Sequence, residues 1–279
     1  MLDQSQLHEQ ILYPVVRVKT SEAGGSGVLV YSEEDPKKPG SYINIAFTCE
    51  HVIDSAIQTR EEWDPVLKRQ RKADFFQEVS IEVFDYDDST IVSANSTQAD
   101  IIAYDKHHDL AAVRLHNNRK MDHVSQVLPK GEIEKLRLFD PVWVSGCSLL
   151  HDPFANPGTL TYLREMIEQK KYLMTNAPSI FGNSGGGLFH GNSGNLLGLT
   201  SRITSIQLGF GIDVMTWMGF STHPERMYEF MEYQELQFVT DSSDDYYSAM
   251  ARRKNRQKQA LREMVMGKEA TGKEEQAAE

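Results

Sequence analysis

Three polar side chains, far apart in the chain, sit in contexts suited to covalent chemistry on a carbonyl carbon. Ser184 lies in Gly182-Asn183-Ser184-Gly185-Gly186-Gly187-Leu188. Glycines on both sides of a serine let the backbone turn tightly and let amides approach a substrate oxygen. A second string, Gly191-Asn192-Ser193-Gly194, follows shortly after. It stands between Phe189-His190 and Asn195-Leu196-Leu197 like the tip of a two-stranded hairpin, so Ser193 reads as a turn residue and Ser184 as the nucleophile. His51 follows the apolar run Ala46-Phe47-Thr48, where a strand end can hold an imidazole. Asp109 opens Asp109-Leu110-Ala111-Ala112-Val113-Arg114-Leu115, which would bury its carboxylate against that imidazole; Asp105 is its rival. A serine hydroxyl is a weak nucleophile until a neutral imidazole, held by a carboxylate, takes its proton, so this set is suited to acyl transfer. Cys49 and Cys147 lie outside glycine-rich turns, and His107 and His108 belong to no HExxH or CxxC spacing. A cysteine nucleophile and a metal centre are therefore set aside, and no cofactor is expected.

The elements that must position these groups read as short strands. β-branched and aromatic runs at Tyr13–Val18, Ser26–Tyr31, Tyr42–Thr48, Val79–Phe84, Asp100–Tyr104, Leu110–Leu115, Pro141–Ser145, Tyr172–Asn176 and Leu196–Ser201 are separated by Gly, Pro, Asn and Asp clusters. That pattern predicts an all-β domain. Segments 55–76 and 147–171 lack it and are expected to be long surface insertions carrying at most short helices. From Pro224, the helical spacing of Met227, Phe230 and Met231 predicts a helix packed on the β domain. The chain is thus expected to divide into a domain over 1–240 and a charged tail over 241–279. Residues 250–266 of the tail should be a basic helix in part, and 267–279 too polar to repay ordering.

The chain has 279 residues, 40% of them hydrophobic and 25% charged, which excludes disorder throughout and fits one catalytic-sized domain with a tail. Its formal net charge of -11 argues against nucleic acid, which needs a concentrated basic face. The start, MLDQSQLHEQ, has no basic run followed by an apolar core, and no stretch is apolar for long enough to span a membrane. The sequence therefore reads as cytoplasmic, with no membrane partner. The basic stretch from Arg252 to Arg262 could dock a partner protein, although a solvated tail is the plainer reading. With two cysteines and no disulfide framework, buried free thiols are expected.

The ordered set Gly25-Ser26-Gly27-Val28-Leu29-Val30, TCEHVI at 48–53, DLAAVRL at 109–115, VWVSGCS at 142–148, TNAPSIFGNSGGGLF at 175–189 and GNLLGLTSR at 194–202 resembles the chymotrypsin clan. The likeness is to the HtrA-like and bacterial, phage or viral trypsin-like peptidases, over residues 12–232. What the resemblance implies is a pair of six-stranded antiparallel β-barrels with the site in the cleft between them. His51 and Asp109 would come from the first barrel and Ser184 from the second. It implies a serine endopeptidase acting on polypeptides, with Gly182 and Ser184 supplying the oxyanion-hole N–H groups. A phage origin would make a virion association an expectation too. The competing expectation is a catalytically silent fold that serves as a binding component of an assembly.

The chain departs from the family in three places. Gly187 stands where proline is common, which suggests a looser strand after the nucleophile. Asn183 stands where secreted relatives use an aspartate to bind a newly cut N-terminal amine, and an amide cannot form that ion pair. The residues after 232 are too few and too polar for the PDZ domain that HtrA-like enzymes usually carry. By the family's layout the specificity pocket would have Pro178 at its floor and Thr200 and Ser201 along one wall. An uncharged floor predicts small or aliphatic residues on the acyl side of the cut, with Arg202 pointing away by strand alternation.

Overall fold

The computed structural model describes residues 2–65 and 68–276. The chain enters through a single helical turn, α1 (Gln4–Leu7), capped by Asp3, whose carboxylate accepts from the Gln6 N–H at 2.9 Å. The first half then forms β1 (Val15–Lys19), β2 (Gly24–Glu34), β3 (Tyr42–Thr48), the turn α2 (Glu50–Ile53), β4 (Ile57–Asp64), β5 (Arg69–Phe76), β6 (Val79–Asp87), β7 (Thr90–Asp105) and β8 (Leu110–Leu115). The second half forms β9 (Pro141–Gly146), β10 (Phe154–Ile167), β11 (Lys170–Thr175), β12 (Gly187–His190), β13 (Leu196–Leu208) and β14 (Gly211–Thr222), then α3 (Pro224–Tyr233) and α4 (Tyr246–Gln276).

Six strands close in the order β1-β2-β3-β8-β7-β6, and six more in the order β10-β11-β14-β13-β12-β9, each ladder antiparallel. The expected pair of six-stranded barrels is therefore present. Closure leaves no open sheet edge except where a strand outruns its neighbour. Val28, Ile45, Phe47, Ile81 and Val113 are buried on the strands of the first barrel, and the core of the second is built from Val142, Val144, Leu160, Leu173, Leu188 and Leu197. The helix expected after Pro224 is α3, which buries Met227, Phe230 and Met231 and sets the Phe230 ring edge-on to Phe47, 5.9 Å between centroids.

One of these expectations fails and another holds only in part. Segment 147–171 is no insertion, because most of it is β10, an integral strand of the second barrel paired with β9 at Phe154–Thr159 and with β11 at Leu160–Ile167. Its side chains are mostly half-exposed, its register shifts twice, and it begins Phe154-Ala155-Asn156-Pro157-Gly158, so no apolar alternation marks it. Segment 55–76 is a two-stranded hairpin, β4 with β5, whose alternating residues are charged rather than apolar. Gly187, expected to loosen its strand, is paired on both sides, with Ser145 and with Leu199.

Internal contacts divide the chain into two units: one reaches from the N-terminal residues to Gln58 and resumes over Phe76–Phe230, and the other holds Thr59–Phe75 and the chain from Met231 on. The first contains both barrels. Within the second, the hairpin is braced by Arg60 over the Phe75 ring at 5.4 Å and by Arg71 on Asp64 at 3.0 Å. The start of α4 is held by Asp245, which accepts from Tyr247 N at 2.8 Å and Ser248 N at 3.0 Å. Arg252 of the basic stretch turns back onto Glu235 at 3.0 Å and onto Asp244. The helix continues past residue 266 to Gln276, and the last part of the expected disordered end, residues 277–279, lies outside the described residues.

Removing the Phe230 ring leaves a void against Phe47, so Phe230→Ala should lower stability by about 3–5 kcal/mol. Chemical denaturation of the whole chain reads this as a lower midpoint at unchanged slope. A loss below about 1 kcal/mol would mean that α3 is not anchored through this ring.

Candidate active site

β3 ends at Thr48, Cys49 is extended, and the chain turns into α2, which presents His51 beside the start of β8. There β7 and β8 are joined through a tight turn in which Asp109 adopts φ 57, a left-handed conformation that aspartate tolerates better than most residues. The turn is built by Asp105, whose Oδ1 accepts from His107 N at 2.8 Å and His108 N at 3.1 Å, and whose Oδ2 lies 2.7 Å from His108 Nδ1. The rival carboxylate is thereby occupied with His108, and Asp109 is left to face His51.

The Asp109 carboxylate grips His51 three times. Oδ1 accepts from the His51 backbone N–H at 2.9 Å, and Oδ1 and Oδ2 lie 2.9 and 2.8 Å from Nδ1. The Ser201 hydroxyl donates to Oδ2 at 2.5 Å. Burial raises the Asp109 pKa, but the His51 and Ser201 hydrogen bonds and the His51 charge outweigh it and hold the group below the usual carboxylate range. An ionised carboxylate can only accept, so Nδ1 carries the ring proton and Nε2 is left as the basic nitrogen. Burial pulls the His51 pKa down, whereas the hydrogen bond and charge of Asp109, followed by the charge of Glu50, raise it, and the net shift is upward from 6.5.

Ser184 sits in the loop before β12, which is fastened to both barrels. Its carbonyl accepts from Ser26 N on β2 at 2.8 Å, and the next N–H, of Gly185, donates to Thr200 O on β13 at 2.8 Å. Gly185 has φ 82, and a Cβ there would meet Ser26 O at 2.2 Å and Thr48 Oγ1 at 2.4 Å, so only glycine fits between the Ser184 loop and the strand leading to His51. Among the described residues Ser184 Oγ makes no hydrogen bond to His51 Nε2. Unliganded sites often leave this contact open until substrate binds.

The carbonyls of Phe181 and Gly182, upstream of Ser184, are both clamped. Phe181 O accepts from Leu149 N at 2.7 Å, and Gly182 O accepts from Ser26 Oγ at 2.6 Å, which in turn accepts from Cys147 N at 2.7 Å. In a trans peptide the N–H points opposite to the C=O, so clamping Phe181 O turns the Gly182 N–H to the other side. Among the described residues the N–H groups of Gly182 and Ser184 have no hydrogen-bond partner, which leaves both donors for an oxyanion. Gly182 has φ 94, and a Cβ there would lie 2.5 Å from Leu149 N. Asn183 is buried, its Oδ1 accepting from the Ser148 hydroxyl and from Ile180 N at 3.3 Å.

Ser193 lies in the β12–β13 turn, where Gly194 N donates to His190 O at 2.8 Å. Pro178 is exposed, its carbonyl accepting from Asn156 Nδ2 at 3.0 Å, and the neighbour that points inward is Ser179, buried with its N–H on Thr216 O at 2.7 Å. Thr200 is buried beside the loop, and Arg202 is engaged by Glu168 at 2.6 Å and the Tyr172 ring. Sequence reasoning did not find Ser26 Oγ, Ser148, Ser179 or the Ser201 hydroxyl. Among the described residues one trio could approach a metal ion, Cys49, His51 and Asp109, with ligand atoms within 4.8 Å of one another. Burial pushes the Cys49 thiol well up and its Sγ donates to Thr200 O at 3.3 Å, so it stays protonated and is a poor ligand. Both cysteines are free and buried.

With Asp109 supplying the largest upward contribution, His51 should titrate above 6.5 in the native chain, and Asp109→Asn should move its pKa down by removing the charge while burial persists. Nitrogen-detected NMR of the imidazole measures both, and a His51 pKa indifferent to Asp109→Asn would refute the coupling.

No curated protein matches this chain. Among solved structures, an HtrA-type protease, AlgW, in a structure with a tripeptide, shares the fold with a TM-score of 0.57 at 16% identity, over 83% of this chain and 63% of that one. The chain therefore spans less than two thirds of that protein's length. The family model of the trypsin-like peptidase domain matches residues 25–199, from the strand that carries Ser26 to the one that runs past the Ser184 loop, and the chain belongs to that family.

Proposed function

We propose that the protein is a serine endopeptidase whose nucleophile is Ser184, whose general base is His51 and whose orienting acid is Asp109. The observation that carries this reading is the three-fold grip of Asp109 on His51, which fixes the proton on Nδ1 and exposes Nε2 as a base. In the reaction, Ser184 Oγ attacks the scissile carbonyl carbon and Nε2 takes the hydroxyl proton. The carbonyl oxygen becomes an oxyanion received by the Gly182 and Ser184 N–H groups, a contribution of about 3–4 kcal/mol per donor. His51 then returns the proton to the leaving amine, the amine departs, and a water repeats the sequence on the acyl-enzyme. The silent-fold alternative differs in one measurable respect, the reactivity of Ser184.

A fluorophosphonate probe should label wild type at Ser184 and leave Ser184→Ala unlabelled. Ser184→Ala should also lose at least about 10³-fold of peptide hydrolysis, while Ser193→Ala keeps it. The reverse pattern would exchange the two serines, and no labelling of wild type would favour the silent fold.

Because neutral His51 is the active form and its pKa is raised above 6.5, kcat/KM should climb with pH through an acid limb above 6.5. Asp109→Asn should shift that limb to lower pH while costing on the order of 10⁴-fold in kcat. A rate flat across the acid range would exclude His51 as the base.

With Pro178 exposed rather than at a pocket floor, and the neutral, buried Ser179 as the inward neighbour, no charge is offered to a substrate cation there, and the acyl-side pocket should favour Val, Ala or Leu over Lys or Arg. Peptide-library profiling decides this, and strong selection for Arg or Lys would show a pocket built from other residues.

A further inference from the structure

β13 begins as an interior strand and ends as an edge. Up to Leu199 it lies between β12 and β14. At Thr200 the β12 side is still occupied, since Thr200 N donates to Gly186 O and Gly185 N to Thr200 O, both at 2.8 Å. Past Thr200, β14 goes on pairing as far as Leu208↔Gly211, whereas among the described residues nothing pairs with the opposite edge. The free edge therefore starts beside the Ser184 loop, at Ser201, whose hydroxyl already bonds Asp109. At about 3.4 Å per residue, Ser201–Leu208 offers about 27 Å of unpaired backbone.

Folded chains usually blunt such an edge with lysine, proline or inward charge. Residues 203–214, Ile-Thr-Ser-Ile-Gln-Leu-Gly-Phe-Gly-Ile-Asp-Val, contain no Lys, Arg or Pro. Apolar side chains stand in solvent there instead: Ile206 is 45% exposed, Leu208 61% and Ile212 74%, with Phe210 at the tip. Ile206 and Leu208, two apart on one strand, share a face.

We propose that the distal part of this edge, carrying Ile206 and Leu208, holds a further upstream stretch of an extended polypeptide substrate and selects apolar side chains at the alternate positions that face those two residues. The inference rests on the peptidase reading and gives it a substrate class. Every neighbour in this barrel is antiparallel, so an added strand is antiparallel to β13. Such a strand occupies the line of β12 ahead of Gly187, and its C-terminal end arrives at Ser201, which delivers the following peptide bond to Ser184. Residues opposite each other in a ladder share a face, so the substrate residues roughly five and seven places upstream of the one opposite Ser201 lie against Ile206 and Leu208. A second copy of this chain could pair with the same edge, but it would then occupy the strip that leads to Ser184.

The test uses the full-length Ser184→Ala protein and fluorescent synthetic peptides, so that binding is read without turnover. One peptide has four residues upstream of an Ala-Ser bond, a second has nine with Ile at the two upstream positions named above, and a third has Asp at those two positions. The expected result is that the Ile peptide binds at least about 10-fold tighter than the other two. Ile206→Thr/Leu208→Thr, which puts a strand-favouring β-branched residue at both positions, should shrink that advantage below about 2-fold with an unchanged circular dichroism melt. Equal affinity for all three peptides would overturn the proposal. So would a dimer seen by light scattering that the Thr pair dissolves, because a second copy would then be the occupant. Failure of the peptidase reading shows up separately, as absence of fluorophosphonate labelling of wild-type Ser184.

Discussion

The site depends on one buried serine of the first barrel. Ser26 places its N–H on Ser184 O, its hydroxyl on Gly182 O, its carbonyl under the Thr48 hydroxyl, and takes the Cys147 N–H on its Oγ, all within 2.6–2.8 Å. Ser184 belongs to the loop before β12, Cys147 follows β9 and Thr48 ends the strand that leads to His51. A single residue therefore fixes the distance between the histidine-bearing strand and the serine-bearing loop. Each bond contributes only about 1 kcal/mol net, but leaving such a buried group unpaired costs about 1–3 kcal/mol, and the four converge on one backbone position. A change at Ser26 would be felt in geometry before it was felt in stability.

The electrostatics follow from that frame. Asp109 sits where burial alone would raise its pKa, and it stays ionised because His51 and Ser201 both donate to it. The same carboxylate lifts His51 against burial. The pair is self-consistent: removing either partner leaves the other in a setting that penalises its charge. The thiol of Cys49 lies against the same carboxylate and responds in the opposite sense, pushed up by burial first and by the Asp109 charge second. Charge is thus confined to two of the three groups that meet there, which keeps a buried cysteine inert beside a basic nitrogen.

Sequence was informative where a strand is buried on a face and bounded by turns. β3 and β8 have the expected limits, Tyr42–Thr48 and Leu110–Leu115, because almost every residue in them is buried. β10 escaped because its partners, not its own side chains, make it a strand: half-exposed residues and a Pro157-Gly158 pair erase the period. The β4–β5 hairpin escaped because its alternation is of charge. The local contexts that singled out His51, Asp109 and Ser184 were legible, and the fold brings the Asp109 carboxylate onto His51. The hydroxyls of Ser201 and Ser26 were not, because their partners lie 92 and 156 residues away in sequence and a serine in a strand carries no mark of what its side chain will meet.

Asn183 shows how the loop is held without a buried charge. A carboxylate at this fully enclosed position would need a cation to offset desolvation. The amide oxygen instead takes the Ser148 hydroxyl and the Ile180 N–H, both neutral donors from the same neighbourhood. The exchange is incomplete, since Asn183 Nδ2 has no partner among the described residues, and an orphaned donor of that kind costs about 1–3 kcal/mol. What offsets it is the clamp on the two preceding carbonyls: Leu149 N on Phe181 O and Ser26 Oγ on Gly182 O. With both carbonyls engaged, turning over the Phe181–Gly182 peptide would break the Leu149 bond and drive Gly182 out of φ 94. The Gly182 N–H is in this way directed by a neutral hydrogen bond on Phe181 O, and the Ser184 N–H by another, from Gly186 N to Asn183 O at 2.8 Å, so that neither orientation varies with the titration of a group in the loop.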